Sequence, residues 1–307
     1  MSILVNGGTR LLVQGIDSRE GTLYTEHMLA CGTRVVAGVS PGHGGTWCAG
    51  LPVFGTVKEA VHATDANASL LCVPASEATE SILEAADAGL RVIVCVTSGV
   101  PAQDMVRVKA YLRSVVSVDS VYAFEGGVRI RGRGTPVYLI GPGSPGVFSP
   151  ARCMVGAMPA YIATPGKIGV LSRSGSLACE VTWLLTQAGF GQSTIVGSGN
   201  GPIVGTGFVD VLSMFEDDPL TEQIVIVGEI GGQEEEMAAA FIPDRLTKPV
   251  VAFVTGQHAP SGRRMGHAGA IVGDYAGTAQ LKIDALESAG VRVARSLDEI
   301  PGLLERG

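Results

Sequence analysis

Charged side chains are scarce in this sequence. Asp, Glu, Lys and Arg make up 17% of its 307 residues, against 46% hydrophobic. Such a chain can bury a large core, and its length suits about two domains. Positive charge is the scarcer sign. A net charge of −7 and a pI near 5.3 argue against nucleic-acid binding through a general basic surface, but not against a local phosphate site. The six cysteines (Cys31, Cys48, Cys72, Cys95, Cys153, Cys179) form no C-x-x-C pair and no zinc spacing, so no metal site is expected. Cys72 and Cys95 lie inside apolar runs and read as small buried hydrophobes. The opening MSILVNGGTR has no charged segment followed by a long apolar stretch, and no later run is long enough to span a bilayer. The expected location is a reducing cytoplasm, with no membrane contact.

What the chain does contain is a repeated alternation of apolar runs and helical patterns. Leu11–Gln14, Val35–Val39, Ser69–Val73 and Arg91–Val96 read as strands; Thr22–Cys31, Val57–Ala63, Glu77–Ala88 and Gln103–Leu112 read as the helices between them. Strands apolar on both faces and joined by helices imply a parallel sheet covered on both sides. Val137–Ile140 would close this first domain, and the proline- and glycine-rich passage Gly141–Gly166 reads as a linker. The pattern then restarts with strands Lys167–Ser172, Ser193–Gly197, Gln223–Gly228 and Pro249–Thr255, and helices Gly175–Ala188, Phe208–Phe215 and Glu234–Ile242. A helix (Thr278–Ala289), a short strand (Val291–Val293) and a last helix (Leu297–Leu304) finish the chain. The expectation is α/β, with two doubly wound domains over 1–145 and 146–307. An insertion-like stretch, Ser114–Pro136, carries a turn at Glu125-Gly126-Gly127 followed by Arg129, Arg131 and Arg133 alternating with apolar residues. It reads as a hairpin with arginines on one face, a charged edge that resists aggregation.

Several loops could carry chemistry. After the first strand comes Gly15-Ile16-Asp17-Ser18-Arg19-Glu20-Gly21, a glycine loop that opens a helix and so suits phosphate. It is not G-x-G-x-x-G, and Ser40-Pro41-Gly42-His43-Gly44-Gly45 after the second strand offers no acid for a ribose, which disfavours NAD. Asp17 and Glu20 would repel a phosphate, with Arg19 the only local compensation. Ser172-Arg173-Ser174-Gly175-Ser176 lies between a strand and a helix, where hydroxyls can cap the helix, hold a phosphoryl group, or do both. Glu229, at a strand's carboxyl end, reads either as a surface acid capping the next helix or as an acid pointing into the crevice where such sheets bind ligands; the glycines on both sides favour the second. Finally, His267 sits in Ser261–Gly269 (SGRRMGHAG), with Arg263 and Arg264 just upstream. Taken alone it could be a loop histidine beside solvated arginines. With Glu229 holding one ring nitrogen, the other could attack phosphorus.

Together these stretches resemble the alpha subunits of succinyl-CoA synthetase and related ADP- or GDP-forming acyl-CoA ligases, including malate–CoA ligase. The resemblance runs over almost the whole chain and is carried by GTLYTEHMLACGTRVVAGVSPGHGG, LPVFGTVKEAV, PGKIGVLSRSGSLACEV, GFGQST, FVDVLSMFEDDP, IVGEIGG and GRRMGHAGAIV. The family normally lacks the Ser114–Pro136 insertion. The resemblance implies an N-terminal Rossmann-like CoA-binding domain, a C-terminal flavodoxin-like domain, and a partner ATP-grasp beta subunit that binds ATP or GTP with Mg2+ in an αβ or α2β2 assembly. It implies that His267 becomes phosphohistidine, that Glu229 is its acidic partner, and that Ser174, Gly175 and Ser176 receive the phosphoryl group. A small carboxylic acid is then activated as an acyl phosphate and passed to CoA, one hard step being split into easier ones.

The departures from the family fall on the acceptor and acid sites. The CoA-contact positions carry Asp17, Ser18, Arg19 and Glu20 in place of a neutral loop, His43 in place of a lysine, and Val96-Thr97-Ser98 without the usual acid. Ser144 stands where the family often has cysteine, Cys179 where a tyrosine is associated with the organic acid, and Gly201 where an acid is usual. Two other readings therefore stand beside the CoA ligase: the same chemistry with a non-CoA acceptor such as an amine, and a non-catalytic metabolite-sensing subunit.

Overall fold

The computed structural model describes residues 2–305 apart from 116–117, 125–126, 133–135, 261–263 and 273–276, and describes only the backbone over 115–135. The first half of the chain forms β1 (Leu11–Gln14), α1 (Arg19–Ala30), β2 (Val35–Val39), β3 (Trp47–Cys48), β4 (Leu51–Phe54), α2 (Val57–Thr64), β5 (Ala68–Leu71), α3 (Ala75–Asp87), β6 (Val92–Cys95), α4 (Ala102–Val115), the pair β7 (Val118–Phe124) and β8 (Gly127–Gly132), and β9 (Tyr138–Ile140). Every residue of β1, β5 and β6 is buried, as a strand covered on both faces requires. The sheet runs β3-β4-β2-β1-β5-β6-β9. All its pairings are parallel except the antiparallel edge strand β3. Counting only the parallel strands in chain order, the sequence across the sheet is 3-2-1-4-5-6, the Rossmann order. It reverses between β1 and β5, and the Gly15–Arg19 turn lies at that reversal.

Two local differences have physical causes. Helix α1 starts at Arg19, a turn earlier than its apolar pattern suggests, because Ser18 caps it by accepting from the Gly21 N–H at 2.9 Å. Strands β3 and β4 are not among the strands expected from the sequence, Pro52 and nearby glycines interrupting the apolar pattern; both lie at the sheet's margin, where a proline is tolerated. In the insertion, β7 and β8 pair antiparallel, so the hairpin is present. The Glu125-Gly126 turn, Arg133, and the side chains of Arg129 and Arg131 lie outside the described residues.

The second half forms β10 (Gly146–Ser149), β11 (Cys153–Gly156), β12 (Pro165–Ser172), α5 (Gly175–Gln187), β13 (Gln192–Gly197), α6 (Phe208–Asp217), β14 (Gln223–Glu229), α7 (Glu234–Arg245), β15 (Val250–Thr255), α8 (Ala279–Ser288), β16 (Arg292–Ala294) and α9 (Ile300–Leu303). The sheet order is β11-β10-β13-β12-β14-β15-β16. Its parallel strands follow 2-1-3-4-5, the flavodoxin order. The expected linker Gly141–Gly166 is not a linker throughout. It supplies β10, which pairs antiparallel with β13, and β11, which pairs antiparallel with β10 and extends the sheet by a second strand. Its many turn residues hide two short runs, Gly146–Ser149 and Cys153–Gly156, that are wholly buried. Thr33 ties β11 to the first half: its Oγ1 donates to the Met154 carbonyl at 2.8 Å and accepts from the Met154 N–H at 2.9 Å. One apolar core runs through both sheets, from Leu11 and Val13 to Val170 and Ile226. The expected last helix is shorter than its apolar pattern, because Pro301 sits in the first turn of α9 and a 3-10 turn (Leu297–Glu299) precedes it. Among the described residues, no helix is long and apolar enough to cross a membrane.

Candidate active site

In the second sheet the strand order reverses between β12 and β14, and three loops meet at their carboxyl ends. The first is Ser172–Ser176. Ser174 caps α5 by accepting from the Leu177 N–H at 3.4 Å, while its own backbone N–H donates to Ser172 Oγ at 3.1 Å. The Gly175 and Ser176 amides, at the helix start, have no intrahelical acceptor. The first turn of α5 carries no acidic side chain, whereas that of α7 carries Glu234, Glu235 and Glu236. No side-chain carboxylate in the first turn of α5 therefore offsets the partial positive charge there.

The second loop begins at Glu229, the last residue of β14 and only 5% exposed. The third carries His267 at the tip of a tight turn. Met265 N–H donates to the Ala270 carbonyl at 2.9 Å, and Arg264 bridges to Ile271. Glycines let this turn press against its neighbours. Gly231 has φ +80°, and a Cβ there would fall 2.2 Å from the Gly269 carbonyl oxygen. The Gly269 N–H in turn donates to the Asn200 carbonyl at 2.9 Å. Arg264 is exposed, and Arg263 lies outside the described residues.

His267 Nδ1 lies 2.7 Å from Glu229 Oε1 and 2.9 Å from Oε2. A carboxylate can only accept, so in a neutral ring this contact selects the tautomer with the proton on Nδ1 and the lone pair on Nε2. The His267 ring is 31% exposed, whereas the carboxylate it contacts is only 6% exposed. The remaining groups on Glu229 are also held. Arg173, 4% exposed, donates from Nη1 to the carbonyl oxygens of Glu229 (3.0 Å) and Gly231 (2.6 Å). Sequence reasoning does not single out Arg173, which lies between Ser172 and Ser174.

At the other crevice, in the first sheet, Asp17 is not compensated by Arg19 alone. Its Oδ2 accepts from Ser40 Oγ at 2.8 Å and lies 2.5 Å from His43 Nδ1. Partial burial pushes the Asp17 carboxyl up, but the Ser40 and His43 hydrogen bonds outweigh it and hold the group below its ordinary value. Two departures from the family pattern thus form one contact. Ser18 is consumed as the α1 cap, while Arg19 and Glu20 are exposed beside it. Val96, Thr97 and Ser98 follow β6; Thr97 Oγ1 donates to the Val73 carbonyl at 2.6 Å, and Ser98 is exposed. Ser144 is 4% exposed and fully engaged, donating to the Gly197 carbonyl at 2.6 Å and accepting from the Gly146 N–H at 2.8 Å. Cys179 is half-buried on α5, where burial pushes its thiol up.

Residues 6–99 match the family model of the CoA binding domain, and residues 171–292 match that of the CoA-ligase. The alpha 2 subunit of succinate–CoA ligase [ADP-forming] from Archaeoglobus fulgidus is 48% identical over 304 residues, 99% of either chain. The corresponding alpha subunit from Staphylococcus aureus is 45% identical over 304 residues, 99% of this chain and 94% of the relative. Among solved structures, ATP citrate lyase from Methanothrix soehngenii superposes with a TM-score of 0.82 at 24% identity over 98% of this chain; that match spans about half, 49%, of the larger protein. The dinucleotide-forming acetyl-coenzyme A synthetase 1 of Ca. Korarchaeum cryptofilum gives 0.71 at 20% identity, covering 96% of this chain and 59% of that one. These two likenesses concern the fold. With two domain models in the expected order and near-complete coverage at 45–48% identity, the chain belongs to the family of succinate–CoA ligase alpha subunits.

Proposed function

We propose that this chain is the alpha subunit of a nucleotide-dependent acid–CoA ligase that works through a phosphohistidine at His267. The observation that carries the proposal is the His267–Glu229 contact at 2.7 Å; Arg173, the residue before the α5 cap Ser174, donates to the Glu229 carbonyl at 3.0 Å. Nε2 attacks the terminal phosphoryl of ATP or GTP, held with Mg2+ by an ATP-grasp beta subunit; the Nε2–P bond forms as the P–O bond to the nucleoside diphosphate breaks. Glu229 stabilises the positive charge that the ring gains, an electrostatic contribution of the kind that dominates many enzyme sites. The α5 amides and the hydroxyls of Ser174 and Ser176 suit the phosphoryl oxygens. A small carboxylic acid then takes the phosphoryl group, restoring the imidazole. The CoA sulfur displaces phosphate from the acyl phosphate, and the thiol proton leaves with that phosphate.

In this reading residues 1–145 hold CoA at the β1/β5 reversal, 146–307 carry the histidine, and the chain works in the cytoplasm as an αβ or α2β2 assembly. Incubating the complex with terminally labelled nucleotide tests the reading. Acid-labile, base-stable label that disappears in His267→Asn supports it; label that survives the substitution refutes it. A second reading, a non-CoA acceptor such as an amine, rests on the Asp17 carboxylate in the first glycine loop. Calorimetric titration with CoA decides between the two, because saturable binding retires the amine.

A further inference from the structure

Strand β14 outlasts its neighbour at Glu229. The Arg173 N–H donates to the Val227 carbonyl at 3.1 Å, so Val227 faces β12. Two residues on, Glu229 turns its N–H and C=O to the same edge, where the chain has already left for α5. Backbone groups buried there need partners. Side chains supply them. Glu235 Oε1 accepts the Glu229 N–H at 2.8 Å, and Arg173 Nη1 donates to the Glu229 carbonyl at 3.0 Å. Two charged side chains thus stand in for the missing strand.

Glu235 is itself held. Its Oε2 accepts from Lys282 Nζ at 2.5 Å, and its Oε1 lies 3.4 Å from Arg173 Nη1. Lys282 also donates to Glu236 Oε2 at 2.7 Å and to the Gly232 carbonyl at 3.1 Å. The side chains of Glu235 and Lys282 are both 0% exposed, and that of Arg173 is 4%. A buried charge with so little water is stable only if paired, and two cations with two carboxylates balance here. The strand makes room for this: a Cβ on Gly228 would fall 2.7 Å from Glu235 Cγ, so only glycine admits the carboxylate at that position. Lys282 belongs to α8, on the buried stripe Ala279, Lys282, Ile283, Leu286, so the network links α8 to the end of β14.

We infer that Lys282 and Glu235 are positioning residues for phosphorylation of His267: they fix the Glu229 peptide, and through it the carboxylate that orients the ring. This rests on the phosphohistidine reading above. Groups that hold a ligating or reacting side chain typically matter by about 10- to 100-fold in activity. The test is a double-mutant cycle on the purified heteromeric complex, measuring the single-turnover rate of His267 phosphorylation, with the KM for nucleotide measured in parallel. Lys282→Met is expected to slow the rate by at least about 10-fold with KM unchanged. If Lys282→Met does not fold, Glu235→Gln takes its place. Its amide oxygen will face Lys282 and its NH2 will face the Glu229 N–H, breaking the link while Glu236 still pairs the lysine. Combined with Glu229→Gln, either substitution is expected to add little further slowing, because both act through the same carboxylate. Effects that multiply, or no slowing in the single variant, would overturn the inference. Failure of Glu229→Gln itself to slow the reaction would instead overturn the phosphohistidine reading.

Discussion

Replacing Glu229 with glutamine removes one negative charge beside the His267 ring and leaves the volume almost unchanged. The peptide of residue 229 would keep its bonds to Glu235 and Arg173, so the fold should be preserved. As Nε2 bonds to phosphorus the ring becomes cationic, and the carboxylate 2.7 Å from Nδ1 then gains most. Unit charges about 4 Å apart interact by ~4 kcal/mol at an effective dielectric near 20. The ring is 31% exposed, so water screens part of this. About 3 kcal/mol should remain, a slowing of about 10²-fold. That figure is a lower bound: if the new amide turns its NH2 to Nδ1, the ring adopts the other tautomer and Nε2 is protonated. The assay is rapid-quench single turnover of the complex with labelled nucleotide. A rate within about twofold of the native rate would refute the electrostatic role assigned to Glu229.

Gly231→Ala should push the His267 turn away, since φ +80° and a Cβ 2.2 Å from the Gly269 carbonyl oxygen leave no room; a misplacement of about 1 Å costs about 10²-fold in phosphorylation rate, measured in the same assay. Burial pushes the thiols of Cys72 and Cys95 up from 9.0 to about 12. Their contribution to stability is complete below pH 9 and is lost as pH rises toward 12, amounting to about 2 kcal/mol per thiol at about pH 10.5. Denaturant titrations of Cys72→Ala and Cys95→Ala at about pH 8 and about pH 10.5 should show a flatter alkaline limb than the native chain. At the acid end Asp17 behaves oppositely. Its folded-state value is lowered from 3.8, so its contribution is present above 3.8 and lost as pH falls through the lowered value. The difference in Tm between the native chain and Asp17→Asn should therefore close on acidification below 3.8.

Both strand orders are consistent with what the apolar runs show, because fully buried parallel strands such as Leu11–Gln14 and Gln223–Glu229 announce themselves without partners. The contact between His267 and Glu229 was also legible, each residue being marked by the glycines around it. What escapes sequence reading is what depends on contacts between distant residues. Strands β10 and β11 hide among turn residues because only burial against β13 and Thr33 makes them strands. The Asp17–His43 contact joins positions 26 apart, and Glu235–Lys282 positions 47 apart. Glu234-Glu235-Glu236 looks like an ordinary acidic helix start complementing the dipole. The one available cue was Lys282, a lysine at the i+3 position of an otherwise apolar stripe.

The geometry at His267 makes its sharpest statement about a single atom. Nδ1 is occupied by Glu229, so the proposed phosphohistidine carries its phosphate on Nε2. Phosphorus NMR of the complex, phosphorylated by nucleotide and then denatured in base, distinguishes the two isomers of phosphohistidine. The Nε2-linked isomer alone is expected. Phosphorus on Nδ1, or on any residue other than His267, would contradict the account.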